Sequence, residues 1–272
     1  MLNHINLYNI YHYGDIFYSR TLINLLVKNG FTVNFYHNLN FGILEDIENC
    51  NEFSRLQIPN NSINTWLGQN GALDENGCSF AAHKNLAEKI LETYGIKNIP
   101  EEDFLPEIFY DNLSGKEKIH NLLSILNNRK LVLICNGQVN SGQSDNIDFY
   151  TLINDISDKY PEFLFIVTTP INIFKENVIF IGEYTKKLPD LLLIGYLSTF
   201  CDIIIGRASG PVCYTHTKEN LMNPNKTYIS FTVREHEGKW YCRSKAKQIW
   251  SNSTDKNILF EIISNELQNK LS

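Results

Sequence analysis

The stretch LPDLLLIGYLSTFCDIIIGRASGP, residues 188–211, decides the fold class. Its Leu-rich part predicts a buried helix over 189–201, and the apolar run 203–205 predicts a buried strand. This strand leads directly into the Gly-rich turn 206–211, where Pro211 suits the first turn of another helix. Apolar strands that alternate with helices are typical of a parallel sheet covered by helices on both faces.

The same alternation continues on both sides of this stretch. Upstream, a helix that ends at Tyr160 separates two apolar strands, and downstream a strand precedes an apolar helical stripe at the end of the chain. The predicted strands are 131–135, 163–168, 178–181 and 227–231, and the last helix is 255–271. These elements predict one α/β domain of the Rossmann-like kind.

The first part of the chain contains a second unit of this type. An apolar strand at 5–10, a helix over 16–28 and a strand at 31–37 have the length of a βαβ unit. Further helices are predicted over 80–94 and 116–128. The acidic, Pro-containing segment 101–115 marks the passage between the units. We therefore expect two Rossmann-like domains that face each other, over residues 1–125 and 126–272.

Composition excludes several classes of protein. The chain has 272 residues, of which 43% are hydrophobic and 20% charged, so it is not mostly disordered. Its formal net charge of −6 argues against a dedicated nucleic-acid binder. No secretory signal is visible, and polar residues interrupt the apolar stretch 191–205 too early for a transmembrane span. Six cysteines without a CxxC pair indicate reduced thiols, and the expected compartment is the cytoplasm.

Two strand-to-helix turns are the candidates for chemistry, because ligands of open α/β sheets bind beyond the carboxyl ends of the strands. The first turn, YHYGD, contains Gly14 and Asp15. Asp15 is positioned either to cap the following helix or to act as a general base in a cleft. His12 is a second candidate base, because an imidazole titrates near neutral pH, and its alternative is an ordinary solvated histidine.

The second turn is GRASGP, residues 206–211. Ser209 and Gly210 would leave free N–H groups at a helix N-terminus, where phosphates bind. Arg207 adds a guanidinium that can donate two hydrogen bonds to a phosphate. A capped helix beside an exposed arginine is the structural alternative. Asn136 and Gly137, which follow the strand 131–135, are either contacts to phosphate or ribose or a simple polar turn.

Taken together, Gly14-Asp15 and the stretch 188–211 resemble glycosyltransferase family 9, which includes the bacterial heptosyltransferases of lipopolysaccharide synthesis. The resemblance implies the GT-B fold, with two Rossmann-like domains facing each other across a cleft. It implies a nucleotide-sugar donor on the C-terminal domain and a glycan or lipid-linked saccharide acceptor on the N-terminal domain. It also implies catalysis without a metal or other cofactor, and it leaves room for peripheral contact with a membrane.

The resemblance also implies roles for individual residues. Asp15 would deprotonate the acceptor hydroxyl, beside substrate contacts from His12, Tyr13 and Gly14. The leaving nucleoside diphosphate would be stabilised from the C-terminal domain, which is electrostatic stabilisation of developing charge. The residues implied on that side are Asn136, Gly137, Arg207, Ser209 and Gly210.

Three departures from the family's pattern keep alternatives open. Ala208 stands where the family has an Asp, Cys213 stands where it has a His, and the loop 138–146 lacks the family's Lys. Either the donor differs, or Arg207 replaces the missing cation, or activity has been lost. One alternative function is therefore a non-catalytic GT-B-like binding protein. Another is an epimerase-like enzyme that acts on nucleotide-sugars.

The segment REHEGKWYCR, residues 234–243, mixes charged and aromatic residues. Two interpretations apply to it. The favoured one is an exposed hairpin without a role in binding. The other is an aromatic surface that stacks on a base or a sugar ring.

Overall fold

The computed structural model describes residues 3–67, 79–126, 129–139, 142, 144–186 and 190–271. These residues form two parallel β-sheets, one from each half of the chain. Helices follow the strands in both halves, so the α/β class predicted from the sequence is confirmed. The start of the predicted helix 189–201 and part of the loop 138–146 lie outside the described residues.

The first sheet has four strands in the order β3-β2-β1-β4. β1 is its centre and pairs in parallel with β2 on one side and with the two-residue β4 on the other. The strands are β1 (Asn3–Tyr8), β2 (Phe31–His37), β3 (Cys50–Ser54) and β4 (Ile63–Asn64), and the helices of this half of the chain are α1 (Tyr13–Lys28), α2 (Ser79–Thr93) and α3 (Lys116–Ile125). α1 packs on β2, and the loop between β1 and α1 lies at the carboxyl edge of the sheet.

The second sheet has six strands in the order β10-β9-β8-β5-β6-β7, all parallel. Its strands are β5 (Lys130–Cys135), β6 (Phe163–Val167), β7 (Val178–Phe180), β8 (Ile203–Arg207), β9 (Thr227–Phe231) and β10 (Lys247–Ser251). The helices of this half are α4 (Phe149–Lys159), α5 (Gly182–Thr185), α6 (Leu191–Ser198), α7 (Gly210–Cys213), α8 (Lys218–Leu221), α9 (Glu235–Gly238) and α10 (Lys256–Leu271).

The strand order of the second sheet creates a crevice between β5 and β8. The chain runs outward from β5 through β6 to β7, then returns to β8 and runs outward in the opposite direction. The connections after β5 and β8 therefore leave the sheet toward opposite sides, and the gap between them is where ligands of such sheets bind. This is the strand order of a complete Rossmann-like domain.

The two halves share one apolar core. A single cluster of buried side chains includes Phe17 from α1 together with Tyr214 and Trp240 from the second half. The rings of Phe17 and Tyr214 lie 4.5 Å apart between centroids. A second cluster, which contains Phe163 and Leu259, belongs to the second half alone. The two halves are thus joined by buried apolar surface, and the burial of such surface is the main favourable contribution to association.

α3 connects the two halves. It packs on α5 and α6, and Lys118 Nζ donates a hydrogen bond to the Thr185 carbonyl at 2.8 Å. The boundary between residues 125 and 126 falls just after this helix and between the two sheets. We keep the division into 1–125 and 126–272 as a proposal.

Several elements differ from the expectations. β3, β4 and β10 were not predicted, because their residues are mostly polar or too few to show an alternating pattern. α6 ends at Ser198, and the buried ammonium of Lys226 then binds the Ser198, Thr199 and Cys201 carbonyls at 2.8 Å each. Cys242 is disulfide-bonded, so the expectation that all six thiols are reduced is wrong for this residue.

No helix among the described residues is long and apolar enough to cross a membrane.

Candidate functional site

Asp15 lies in the first turn of α1, at the carboxyl edge of the first sheet. Its Oδ2 accepts a hydrogen bond from the His12 N–H at 3.2 Å. The N-cap residue of α1 is His12, so Asp15 is not the predicted N-cap and instead supports the start of the helix from its third position, as in a capping box. The carboxylate is half-buried, and burial raises its pKa above the ordinary value of 3.8. Interactions with His12 and Trp66 favour the ionised form and limit this rise. A carboxylate with a raised pKa is a stronger base than an ordinary one.

The side chain of Trp66 lies beside this carboxylate and forms a hydrogen bond with it. Trp66 follows β4, and its ring stacks on Tyr11 with centroids 3.4 Å apart. His12 itself is exposed, which agrees with a solvated histidine. Sequence reasoning did not identify Trp66, because a lone Trp after a two-residue strand carries no recognisable motif.

The two predicted turns meet in the structure. A Cβ added to Gly14 would lie 2.8 Å from Cys213 Sγ, and one added to Gly210 would lie 3.2 Å from Tyr13 Cβ. α1 and α7 thus approach each other so closely that only glycine leaves enough room. This contact places Asp15, from the first half, next to the turn 206–211 from the second half.

Replacing Gly14 with alanine tests this close approach. We expect Gly14→Ala to destabilise the protein by about 1–3 kcal/mol, because the new methyl group overlaps Cys213 Sγ. Adding Cys213→Ala should recover most of this loss, since the Cys213 Cβ is 3.5 Å from the new Cβ, an ordinary contact distance. Urea unfolding of the wild type, both single variants and the double variant measures the coupling. Strictly additive effects would show that the two residues do not touch.

Arg207, at the end of β8, is buried rather than exposed. Its guanidinium donates to the Asn136 carbonyl at 3.1 Å, to Asn146 Oδ1 at 3.0 Å and to the Gly137 carbonyl. It also lies over the Phe149 ring, 5.0 Å from the centroid. The exposed-arginine alternative is therefore wrong: Arg207 holds the loop after β5 against the end of β8. Burial lowers its pKa.

A cavity of about 610 Å³ opens beside Arg207 at the carboxyl ends of β5, β6 and β8. This volume is within the range of small-molecule sites, about 300–1,000 Å³. The predicted residues Asn136, Gly137 and Arg207 line it together. The Asn136 side chain accepts from the Thr169 N–H at 2.9 Å and donates to the Thr169 carbonyl at 3.0 Å, so it ties β5 to β6.

The other two predicted residues of the second turn lie outside the lining of this cavity, at the contact with α1. Ser209 is extended and precedes α7, but its hydroxyl does not cap the helix. The Ser209 Oγ is buried and has no hydrogen-bond partner among the described residues. The first N–H groups of α7 have no acceptor inside so short a helix. The predicted site is therefore divided into a cavity and a contact between the two halves of the chain, joined by residues 207–210.

The structure also contains an aromatic cluster that was not predicted. It is formed by Tyr18, His83, His216 and Trp240. Tyr18 and Trp240 stack with centroids 4.5 Å apart and ring planes 10° apart. The Tyr18 hydroxyl and His216 Nδ1 form a hydrogen bond of 2.9 Å. His83 packs on Tyr18 with centroids 4.6 Å apart. Burial lowers the pKa of His83 and of His216 to about 3, so both imidazoles are neutral.

The structure corrects the interpretation of residues 234–243. The favoured exposed hairpin is wrong, because the segment contains α9 and its Trp240 is only 2% exposed. The aromatic surface for a base or sugar is also wrong for Trp240, which packs within the aromatic cluster. The segment instead forms a contact between the two halves of the chain, because the Phe80 N–H of α2 donates a hydrogen bond to the Trp240 carbonyl at 3.1 Å.

Within the described part of the chain, no group of three or more His, Cys, Asp and Glu side chains could hold a metal ion.

No protein-family model matches the chain, and no curated protein matches it. Solved structures do match over nearly the whole length. The glycosyl transferase family 9 protein from Veillonella parvula DSM 2008 is 11% identical, with a TM-score of 0.57 over 96% of this chain and 89% of that one. The E. coli heptosyltransferase WaaC with ADP-2-deoxy-2-fluoro heptose is 7% identical, with a TM-score of 0.53 over 97% and 99%.

A putative UDP-N-acetylglucosamine 2-epimerase from Listeria monocytogenes is also similar. It is 13% identical, with a TM-score of 0.52 over 99% of this chain and 89% of that one. At such identities the likeness establishes the fold and not the reaction. Together with the two parallel sheets, these comparisons confirm the predicted architecture: the chain has the GT-B fold, in common with the heptosyltransferases of glycosyltransferase family 9.

Proposed function

We propose that the protein is a glycosyltransferase that moves a sugar from a nucleotide-sugar donor to a glycan or lipid-linked saccharide acceptor. The observation that carries the proposal is the contact between Gly14 and Cys213, which brings Asp15 next to the turn 206–211. A base from one domain and an anion-binding turn from the other are the two groups that the transfer requires. The reaction proposed for these residues uses no metal.

The transfer would proceed as follows. The acceptor hydroxyl oxygen forms a bond to the anomeric carbon of the donor sugar, and Asp15 takes the hydroxyl proton. The bond from the anomeric carbon to the phosphate oxygen breaks, and its electron pair leaves with the nucleoside diphosphate. The raised pKa of Asp15 favours the proton transfer.

The second half would stabilise the departing diphosphate. Ser209 and Gly210 stand at the start of α7, whose first N–H groups can donate to phosphate oxygens. Arg207 contributes positive charge at the cavity wall while its N–H groups hold the loop oxygens. In this arrangement the loop 138–146 does not need a lysine, because the buried guanidinium already supplies a fixed cation near the site.

Two other functions compete with this proposal. The epimerase alternative is favoured by the similarity to the putative 2-epimerase, which has the same fold. The non-catalytic alternative is favoured by Ala208 and Cys213, which replace an Asp and a His of the family's pattern. Both enzymes require binding of a nucleotide, and a non-catalytic protein that kept the site would also bind one, so a positive binding result alone does not separate the three functions.

Turnover separates the three. The protein is incubated with a panel of hexose and heptose nucleotide-sugars, with and without a mixture of oligosaccharide acceptors, and both nucleoside diphosphate and sugar products are measured. A transferase releases nucleoside diphosphate at a rate that rises strongly with acceptor. Interconversion of the sugar without acceptor would identify an epimerase. Binding of donors without any turnover would identify a binding protein and contradict the proposal.

A further inference from the structure

Thr65 fixes the backbone that leads into Trp66. The Thr65 N–H donates to the Tyr8 carbonyl of β1 at 3.0 Å, and the Thr65 hydroxyl forms a hydrogen bond of 2.8 Å with the Ser19 hydroxyl of α1. Thr65 and Ser19 are both buried, and buried polar groups that are paired in this way make their surroundings rigid. The chain before Trp66 is therefore tied to β1 and to α1, the two elements that residues 9–12 connect.

The Trp66 ring is fixed as well. Its backbone N–H donates to Asn64 Oδ1 at 3.0 Å, and its indole stacks on the Tyr11 ring with the planes 18° apart. Tyr11 is itself held by the buried Asn9, whose Oδ1 accepts from the Tyr11 N–H at 3.1 Å. These contacts leave the indole little freedom to turn, so its Nε1–H is presented in one direction.

The acceptor of this N–H is the Asp15 carboxylate. The indole Nε1–H is a donor only, so it stabilises the ionised carboxylate and not the protonated acid. The second donor is the His12 N–H, at 3.2 Å from Oδ2. An ionised carboxylate has about four lone-pair positions, so two donors orient Asp15 and still leave positions that can take up a proton.

Other titratable groups face Asp15 from the elements around it. His12 adds positive charge when it is protonated. Burial raises the pKa of Tyr18 in α1 well above 10 and that of Cys213 in α7 to about 12, so both are neutral where a carboxyl group titrates. Glu237 in α9 interacts with these two groups. A substitution at Trp66 leaves all four groups in place.

We propose that Trp66 is a positioning residue for Asp15: its indole N–H holds the carboxylate ionised and in one orientation for the proton of the acceptor. The inference rests on the proposed function for the role of Asp15, but the hydrogen bond itself is measurable without any transfer. Trp66→Phe removes the N–H donor and keeps an aromatic ring on Tyr11, so it separates the hydrogen bond from the stacking.

Nuclear magnetic resonance of the ¹⁵N-labelled protein tests the hydrogen bond. The chain has three tryptophans and thus three indole N–H signals, and the signal that Trp66→Phe lacks belongs to Trp66. We expect this signal to shift between pH 8 and pH 4.5 as Asp15 takes up a proton, and to lose that shift in Asp15→Asn. The Trp250 indole donates to the Thr232 carbonyl at 2.8 Å, which does not titrate, so its signal is the internal control.

The pH profile of kcat tests the consequence for transfer. Without the donor, the pKa of Asp15 rises, so the acidic decline of kcat in Trp66→Phe should move to higher pH by about one pH unit. At pH 8 the carboxylate is ionised in both proteins, and kcat should fall roughly tenfold because the base is less firmly oriented. Trp250→Phe is the matched control, since it removes an indole hydrogen bond from another half-buried tryptophan and should keep the wild-type profile.

Two results would overturn the inference: the same pH response of the Trp66 signal in the wild type and in Asp15→Asn, or an unchanged acidic decline of kcat in Trp66→Phe. Failure of the proposed function is distinguishable from both. If the Trp66 signal follows Asp15 and no transfer occurs, the hydrogen bond stands and the transferase proposal fails. If transfer depends on Asp15 and Trp66→Phe has the wild-type profile, the transferase proposal stands and the role of Trp66 fails.

Discussion

Asp15→Asn is expected to lower the rate of sugar transfer by about 10²- to 10⁴-fold, the usual contribution of a positioned general base. The asparagine side chain is the same size, and its carbonyl oxygen can still accept the hydrogen bond from the His12 N–H that caps α1. The fold and the affinity for the donor should therefore change little. The loss should appear in kcat, because the proton acceptor acts at the chemical step.

Asp190→Asn is the matched control for this substitution. Asp190 is also a half-buried carboxylate at a helix N-terminus, and burial raises its pKa as it does that of Asp15. Its Oδ2 accepts a hydrogen bond from the Thr185 hydroxyl at 3.3 Å. Asp190 is not one of the residues at the contact between α1 and α7. Asp190→Asn should keep kcat within a few-fold of the wild type, since it removes the same charge from a place without a proposed reaction.

The pH dependence gives a second readout for Asp15. A base must be ionised, so kcat should fall as pH decreases through the pKa of Asp15, which burial places above 3.8. The residual rate of Asp15→Asn should lack this acidic decline. Undiminished transfer by Asp15→Asn, or a residual rate with the same acidic decline, would remove Asp15 from the reaction.

Acidification from pH 7 to pH 5 should destabilise the folded protein through its buried histidines. His216 is 3% exposed, and burial lowers its pKa to about 3, whereas an unfolded histidine has a pKa of 6.5. Between these values the unfolded chain binds more protons than the folded one, so the free energy of unfolding falls as pH falls. At pH 5 the contribution of His216 alone is a loss of about 2 kcal/mol. The less buried His83 acts in the same direction.

Urea unfolding at several pH values measures this loss, and His216→Gln isolates it. Glutamine keeps a polar side chain beside the Tyr18 hydroxyl but does not titrate, so the variant should be less stable than the wild type at pH 7 and less sensitive to pH between 6.5 and 5. Carboxylates such as Asp15 and Glu237 are present in both proteins, so their protonation cancels in the comparison. Equal pH dependence of the two proteins would show that His216 is accessible to protons in the folded state.

The sequence predicts the parts of the fold that are set by apolar periodicity. The run 203–205 and the strand 131–135 are surrounded by protein on both faces, so their composition alone identifies them, and the turn 206–211 follows from its glycines. β3 is an edge strand of the first sheet and β10 an edge strand of the second, and both carry polar side chains. Each is defined as a strand by its pairing with one neighbouring strand. Periodicity does not reveal such strands, because the pairing is a property of the tertiary structure.

The candidate site was predicted only where its residues belong to local sequence patterns. Asp15 and Gly210 belong to local strand-to-helix turns, which are visible in the sequence. Arg207 was recognised as a cation, but its partners Asn136 and Asn146 come from a distant loop, so its burial was not predictable. Trp240 reaches its position only because the second half of the chain folds back onto α1 and α2, and no local pattern encodes that return.

The core that Phe17 shares with Tyr214 and Trp240 limits how this protein could have evolved by exchange of its halves. If either half were joined to the corresponding half of another protein, its apolar surface would not be complementary to that of the new partner. The two halves must therefore accumulate substitutions in step along their common boundary, and their ancestry should be traceable as that of one inseparable gene product rather than of two interchangeable modules.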